Sequence, residues 1–234
     1  METINPQEWK KDLPAFKEKT DQFYAGELSK ADYKGFSGGY GSYAQKDGKA
    51  SMIRLRMSGG HLTKDKLKFI ADSIKTYNVD KVHLTTCQTI QLHNLQPEAI
   101  YGIMEGGLDH GIVTMGGGGD FPRNVTVSPL SGVEKGEYFN VLPYAEAAGE
   151  YLMTFIKKEV MPRKLKVGFS NSPANETHAT FRDLGFVARE DGNFDIYSAG
   201  GLGNNARFGL KVAENVKRSS YPNWQEYGMA NMEK

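Results

Sequence analysis

Short stretches of alternating charged and apolar residues limit the possible folds of this chain more than any other pattern. Residues 52–57 (MIRLRM) alternate two arginines with apolar side chains, and residues 164–169 (KLKVGF) contain two lysines in the same arrangement. A period of two places the apolar side chains on one face of a β-strand and the cations on the other. Two neighbouring cations about 4 Å apart repel by roughly 4 kcal/mol near a protein surface. We therefore expect the polar faces of these strands to meet one polyanionic ligand.

Composition and charge limit the class of protein. The chain has 234 residues with 39% hydrophobic and 24% charged residues, which is typical of one large or two small globular domains. Its net charge is +1, so no overall field attracts nucleic acid or a membrane surface, and neither partner is predicted. The absence of a long apolar run and of a signal-peptide pattern predicts a cytoplasmic protein.

The cysteine count and the glycine pattern exclude several kinds of site. With Cys87 as the single cysteine, the chain contains no internal disulfide and cannot complete a cysteine-ligated cluster. No histidine and glutamate pair has zinc-site spacing, so no metal ligand is predicted. The tetraglycine at 116–119 matches neither phosphate-binding glycine pattern, which argues against ordinary nucleotide binding.

The first half of the chain predicts a small α+β sandwich with helices on one face of an antiparallel sheet. Pro14 interrupts a predicted helix over residues 6–25, and Thr63 is the predicted N-cap of a helix ending near Tyr77. The other predicted elements are a glycine-rich loop (35–41), a hairpin (42–57), strands 81–86 and 89–95 as a hairpin or one bent strand, and a helix (98–106) after Pro97. The uncovered face of this sheet would carry Arg54, Arg56, Gln91 and His93.

The second half predicts a mixed α+β region. Its predicted elements are a helix (144–160), a strand (162–169), a hairpin (186–198), a glycine-rich loop (200–207), a strand (208–213) and a polar tail (217–234). Taken alone, the arginine pair fits a solvated sheet face as well as an anion site, and the lysine pair fits a solvated face slightly better. Arg123 alone fits a turn, and His93 alone fits a hydrogen-bonded sheet histidine. Their joint occurrence beside glycine breaks in a nearly neutral chain favours an anion site.

Several motifs resemble one family. Residues 52–63 (MIRLRMSGGHLT) resemble the first sirohaem-binding segment of the assimilatory sulfite and nitrite reductases, and residues 84–93 (LTTCQTIQLH) resemble the family's Thr-x-x-Gln-x-x-Gln-x-His strand pair. The arginine segment, the lysine segment and the glycine loop of the family are similar to residues 121–125 (FPRNV), 162–166 (PRKLK) and 200–203 (GGLG). The chain thus resembles the N-terminal half of these sirohaem- and [4Fe-4S]-containing enzymes.

The resemblance implies a fold and a set of site residues. It implies a ferredoxin-like α/β sandwich half-domain (42–118) followed by a mixed α+β sirohaem-binding domain (119–216), with an N-terminal helical arm (1–41) and a tail (217–234). The positions at which the family binds and protonates sulfite or nitrite are occupied by Arg56, Arg123, Lys164 and Lys166. The positions that contact the cofactor are occupied by Arg54, Thr85, Gln91, His93 and Arg207. The second lysine, Lys166, favours sulfite as the substrate. The chain departs from the family at two positions, where Cys87 replaces an arginine and Gly119 replaces an asparagine that are common in relatives.

The same resemblance implies a six-electron reduction of sulfite to sulfide or of nitrite to ammonia, with electrons from ferredoxin or a flavoprotein. The cysteines of the [4Fe-4S] cluster would come from a C-terminal half or partner chain that this sequence does not contain, so the chain alone is expected to be inactive. Two alternatives remain open at this point: a non-catalytic tetrapyrrole- or anion-binding module, and an α+β domain whose basic faces are merely solvated.

Overall fold

The computed structural model describes residues 5–156, 161 and 163–220, which form two compact units. The first unit comprises Met1–Asn124 and Tyr151–Lys164, and the second comprises Val125–Glu150 and Leu165–Lys234. Outside the described residues lie Pro162, residues 157–160 of the predicted helix and residues 221–234 of the predicted tail (217–234). Within the described part of the chain, no helix is both long and apolar enough to cross a lipid bilayer.

The first unit has the predicted α+β architecture. Its helices are α1 (Pro6–Lys10), α2 (Leu13–Tyr24), α3 (Lys30–Ser37), α4 (Lys64–Thr76) and α5 (Pro97–Asp109). Its strands are β1 (Ser42–Ala44), β2 (Ser51–Leu55), β3 (Val82–Leu84) and β4 (Ile90–Leu95). They form an antiparallel sheet in the order β1-β2-β4-β3, which confirms the first predicted hairpin and shows that β3 and β4 form the second.

The two faces of this sheet differ as the period of two requires. On β2, Ile53 and Leu55 are fully buried, whereas Arg54 between them is partly exposed. Ile53 belongs to one apolar cluster with Ile100 and Ile103 of α5, so the helices cover this face. The opposite face is left for polar side chains.

Local capping explains where the helices begin. The Thr63 side chain accepts a hydrogen bond from the Lys66 backbone N–H at 3.3 Å, which confirms the predicted N-cap of α4. The loop prediction is wrong for residues 35–37, because α3 continues to Ser37. Ser29 caps this helix by accepting from Asp32 N–H, and Tyr33 is fully buried, so packing outweighs the helix-breaking tendency of glycine.

The second unit contains a mixed five-stranded sheet in the order β5-β6-β7-β8-β9. Its strands are β5 (Thr126–Val127), β6 (Val167–Ser170), β7 (Leu184–Ala188), β8 (Phe194–Ser198) and β9 (Leu210–Val216), and helix α6 (Leu142–Met153) lies between β5 and β6 in the chain. β5, β6 and β7 run parallel, whereas β7, β8 and β9 are antiparallel. The pairing of β7 with β8 confirms the predicted hairpin.

The lysine strand begins later than predicted. Burial alternates from Lys164 to Val167, but β6 starts at Val167 and is buried along its whole length. The period-two prediction is therefore wrong beyond Val167, because a central strand with parallel neighbours is covered on both faces. Phe169 stacks on Phe186 with ring centroids 4.4 Å apart, which shows how one of these faces is filled.

Candidate functional site

The polar face of the first sheet is built around Arg54. Arg54 on β2 lies opposite Gln91 on β4 in the antiparallel register. With the Gln91 amide oriented so that both its atoms are satisfied, its oxygen accepts from Arg54 Nε at 3.0 Å and Nη2 at 2.9 Å, and its nitrogen donates to His93 Nε2 at 3.2 Å. The structure thus brings together three of the predicted cofactor-binding residues in one hydrogen-bonded row.

His93 is a neutral member of this row at pH 7. Burial lowers the pKa of His93 below its ordinary value, and the positive charges of Lys81 and Arg54 act in the same direction. A neutral ring is consistent with Nε2 acting as an acceptor for the Gln91 amide. The His83 ring on β3 lies 6.4 Å from the His93 ring, centroid to centroid, and extends the polar face beyond the predicted residues.

A glycine-rich platform (residues 116–119) binds the side chains of two arginines of the first unit, Arg54 and Arg123. Arg123 donates from Nη1 to Gly117 O and from Nη2 to Gly119 O, each at 2.8 Å, and Arg54 Nη1 also donates to Gly117 O. A Cβ atom at Gly117 would lie 2.7 Å from the carbonyl oxygen of Thr114, so a side chain there would disturb the backbone. The tetraglycine therefore allows carbonyl groups to approach two guanidinium groups closely.

Arg56 is the most buried cation of the site, with 4% of its surface exposed. It donates from Nη1 to Met115 O at 2.9 Å and from Nη2 to Arg123 O at 3.1 Å. Burial, together with the charge of Arg123, lowers the pKa of Arg56 to about 9, so it remains protonated at neutral pH. Burial likewise lowers the pKa of Arg123, and the charge of Arg54 contributes in the same direction.

These guanidinium groups lack anionic partners in the part of the chain that the structure describes. Arg54, Arg56 and Arg123 hydrogen-bond to carbonyl or amide oxygens, and none forms an ion pair with a described carboxylate. Among the described residues, Nε of Arg56 and Nε of Arg123 are also buried without a hydrogen-bond partner. Buried cations without a counter-ion are unfavourable, so this arrangement suits the binding of an anion.

The turn between β3 and β4 is fixed by two residues. Thr85 Oγ1 lies 2.7 Å from Thr89 Oγ1 and accepts from the Cys87 backbone N–H at 3.3 Å. Asn124, next to the site arginine, donates from Nδ2 to Cys87 O at 3.0 Å and to Gln88 O at 3.1 Å. Thr85 therefore shapes this turn through its side chain, and Asn124 ties the turn to the arginine segment.

Two contributors were missed from the sequence. Asn124 is 4% exposed, and its position beside Arg123 was the only available signal. Tyr43 on β1 accepts a hydrogen bond from Gly119 N–H through its hydroxyl at 2.9 Å and so supports the platform. No spacing rule links a strand tyrosine to a glycine segment 76 positions away, so only the folded chain shows this contact.

The remaining predicted residues lie elsewhere in the chain. Lys164 is the last residue of the first unit and is partly buried. Lys166 belongs to the second unit, where its backbone N–H donates to Asp183 Oδ2 at 2.7 Å. Arg207, also in the second unit, donates from Nε to Ala199 O at 3.0 Å and pairs through its backbone with Gly201. The roles of all the predicted site residues stay predictions.

Comparison with known proteins agrees with this architecture. Residues 43–107 match the family described as "Nitrite/Sulfite reductase ferredoxin-like half domain", and residues 118–223 match "Nitrite and sulphite reductase 4Fe-4S domain". The two matches are consecutive and follow the order predicted from the motifs. The chain belongs to the nitrite and sulfite reductase family.

Individual relatives fall in both branches of this family. The chain is 29% identical to a ferredoxin–nitrite reductase of Synechococcus elongatus over 64% of its own length and 31% of that protein. It is 30% identical to the sulfite reductase [NADPH] hemoprotein beta-component of Nitrosomonas eutropha over 65% of its own length and 31% of that protein. This member of the nitrite and sulfite reductase family thus spans about a third of these curated relatives.

A solved structure shows the same fold. The Mycobacterium tuberculosis NirA protein superposes with a TM-score of 0.76 and 23% sequence identity, covering 98% of this chain and 47% of that one. The fold class predicted from the sequence, a ferredoxin-like half-domain followed by a mixed α+β domain, is confirmed by this likeness and by the family matches.

Proposed function

We propose that this chain supplies the sirohaem- and anion-binding residues of a reductase that converts sulfite to sulfide or nitrite to ammonia. One observation carries the proposal. In the described part of the first unit, Arg54 and Arg123 bind the glycine platform, and Arg56 binds the carbonyl groups of Met115 and Arg123. None of the three forms an ion pair with a described carboxylate. A cluster of cations in a chain of net charge +1 is explained by an anionic ligand.

The side chains of this polar face fit a cofactor that bears several carboxylates. Arg54, with the Gln91 and His93 row, presents donors on an accessible sheet face, as a macrocycle carboxylate requires. The buried Nε donors of Arg56 and Arg123 offer hydrogen bonds that no described residue accepts. Bound sirohaem would supply the iron centre at which the oxyanion is reduced.

The basic residues proposed to act on the substrate have different chemical abilities. The guanidinium groups of Arg56 and Arg123 stay protonated and bind oxyanion oxygens through charge-assisted hydrogen bonds. The ammonium groups of Lys164 and Lys166 can release a proton, which suits a reaction whose oxygen atoms leave as water. Thr85 and Arg207 complete the proposed cofactor contacts, as the family resemblance implies.

The iron–sulfur cluster does not fit this chain. One cysteine, Cys87, cannot provide the thiolates that such a cluster needs. Because the chain spans about a third of its curated relatives, we propose that the cluster ligands come from a C-terminal half or partner chain. Ferredoxin or an NADPH-linked flavoprotein would then deliver the electrons.

We also propose domain boundaries at about residues 41, 118 and 216. They would separate the N-terminal arm, the ferredoxin-like half-domain, the sirohaem-binding domain and the tail.

Titration with sirohaem, followed by its absorption band, tests the binding part of the proposal. We expect Arg54→Gln to weaken sirohaem binding by roughly tenfold, which is about 1.4 kcal/mol, because the exposed donor of the polar row is lost. Lys68→Gln is the matched control, since it removes one positive charge from an exposed position on α4. Equal affinities for the two variants would contradict the assignment of Arg54.

The single cysteine also favours a second candidate, a binding module that does not catalyse reduction. Mixing the sirohaem-loaded chain with a chain that carries the cluster-binding cysteines, with reduced ferredoxin as the electron donor, distinguishes the two. Reduction of sulfite or nitrite by the mixture, and its loss in Lys164→Met or Lys166→Met, would support the reductase. Sirohaem binding without any reduction by the mixture would favour the binding module.

A further inference from the structure

Asp183 lies directly before β7 and contacts the backbone of Lys166. Its Oδ2 accepts the Lys166 N–H at 2.7 Å, and the neighbouring Leu184 N–H donates to Lys166 O at 3.2 Å. Both backbone polar groups of Lys166 are therefore hydrogen-bonded by consecutive residues of one segment. This fixes the peptide of Lys166 immediately before β6 begins at Val167.

Asp183 is itself held in place from the other side. Its carbonyl oxygen accepts hydrogen bonds from Ala199 N–H at 3.0 Å and from Ser198 Oγ at 3.2 Å, at the end of β8. Ser198 is 3% exposed, so this anchor is part of the folded interior of the second unit. The carboxylate that meets Lys166 thus extends from a fixed backbone rather than from a free loop.

The hydrogen bond uses the backbone of Lys166 and leaves its side chain available. In the part of the chain that the structure describes, the Lys166 ammonium forms no hydrogen bond and no ion pair. Burial raises the pKa of the Asp183 carboxyl, while the Lys166 N–H and the Lys166 charge act to lower it. Burying a carboxylate is unfavourable unless it is hydrogen-bonded, so the contact of Asp183 with the Lys166 N–H is a specific structural interaction.

We propose that Asp183 is a positioning residue that aims the Lys166 side chain at the substrate anion by holding the Lys166 peptide. The proposal rests on the proposed function, because it requires Lys166 to bind sulfite. Asp183 itself is not expected to touch the anion, since two like charges would repel. If the Asp183 carboxylate only completed the hydrogen bonding of the sheet, its removal would lower folding stability. The interaction free energy between Asp183 and Lys166 in sulfite binding would then be zero.

A double-mutant cycle on the sirohaem-loaded chain tests this proposal, with inorganic sulfite as the ligand and the absorption spectrum as the readout. We expect Asp183→Ala to weaken sulfite binding by about tenfold, and Asp183→Asn, whose side-chain oxygen still accepts the N–H, to stay within about threefold of the original protein. In the Lys166→Met background, Asp183→Ala should have no further effect. If Asp183→Ala does not fold, Asp183→Glu replaces it, because an added methylene displaces the acceptor.

The outcomes separate this proposal from the proposed function. Additive losses from Asp183→Ala and Lys166→Met, or an unchanged affinity in Asp183→Ala, would overturn the positioning role alone. If Lys166→Met binds sulfite as tightly as the original protein, or if the original protein binds none, the role of Lys166 and the positioning role both fail. Thermal unfolding of each variant shows how much of any loss of sulfite affinity is caused by reduced folding stability.

Discussion

Two groups of cations in this protein have opposite kinds of partners. In the second unit, Arg189 and Lys211 both bind Asp195, at 3.2 and 2.9 Å, and both also approach Glu214. In the described part of the first unit, Arg54, Arg56 and Arg123 bind carbonyl and amide oxygens and no carboxylate. The overall charge of +1 conceals this contrast.

The difference indicates which cations serve the fold and which are available for a ligand. Arg189 and Lys211 are neutralised by side chains of their own sheet, so an added anion gains little from them. Arg54, Arg56 and Arg123 receive only partial negative charge from carbonyl and amide oxygens, and their mutual repulsion persists. An anion therefore has most to gain at the glycine platform.

Disturbing the glycine platform should have the largest effect on folding stability and anion binding. A Cβ atom at Gly118 would lie 2.5 Å from Gly38 O and would also overlap the Tyr43 hydroxyl. We expect Gly118→Ala to destabilise the protein by about 3 kcal/mol and to weaken anion binding, because the carbonyl groups that hold Arg54 and Arg123 must move. Denaturant unfolding and a sulfite titration measure the two effects, and an unchanged result in both would show that the platform is not needed.

An anion should stabilise the protein through one set of cations only. At a sulfite concentration of about 100 times its dissociation constant, we expect the free energy of unfolding to rise by roughly 2.7 kcal/mol. Arg123→Gln should lose most of this gain, whereas Lys211→Gln should keep it. Thermal melts at constant ionic strength provide the measurement. Equal losses in both variants would remove the distinction between the two groups of cations.

Neutralising the shared carboxylate of the second unit should have a smaller effect. Although burial acts to raise it, hydrogen bonds from Lys211, from Asn215 N–H and from Arg189 lower the pKa of Asp195 below its ordinary value. We expect Asp195→Asn to destabilise the protein by about 1–2 kcal/mol at neutral pH.

The pH dependence of that variant follows from the sign of the shift. A depressed carboxyl pKa stabilises the folded state above the ordinary value of 3.8, and the stabilisation is lost as the pH falls through the folded-state pKa. The unfolding free energies of the original protein and of Asp195→Asn should therefore converge in acid. A constant difference at every pH would show that the charge of Asp195 is not responsible.

The smallest effect is expected for Gly35→Ala, which is a control for the Gly118→Ala substitution in the platform. Gly35 lies within α3, and a Cβ atom there would meet no atom within 4 Å. We expect Gly35→Ala to stabilise the protein by roughly 0.5–1 kcal/mol, since alanine favours a helix, and to leave sulfite affinity unchanged. Chemical denaturation and the same titration check this. A loss of affinity in Gly35→Ala would mean that the effect of Gly118→Ala is not specific to the platform.

Local sequence patterns were enough to predict the alternation of β2, the β1–β2 and β7–β8 hairpins, the N-cap at Thr63 and the placement of Arg54 and Gln91 on one face. These features depend on local periodicity and on turn and capping chemistry, which neighbouring residues specify. The motif order also identified the family, which the matches over residues 43–107 and 118–223 show.

The atoms that bind the cations could be identified only from the folded chain. The platform carbonyls, the Tyr43 support, the Asn124 tie to the β3–β4 turn and the Asp183 contact with Lys166 join residues that are distant in sequence. The central position of β6 was decided in the same way, because it pairs with β5 and β7, which are distant from it in the chain. Long-range packing sets the local solvation of each charge, and solvation determines whether a basic side chain is merely exposed or requires an anion.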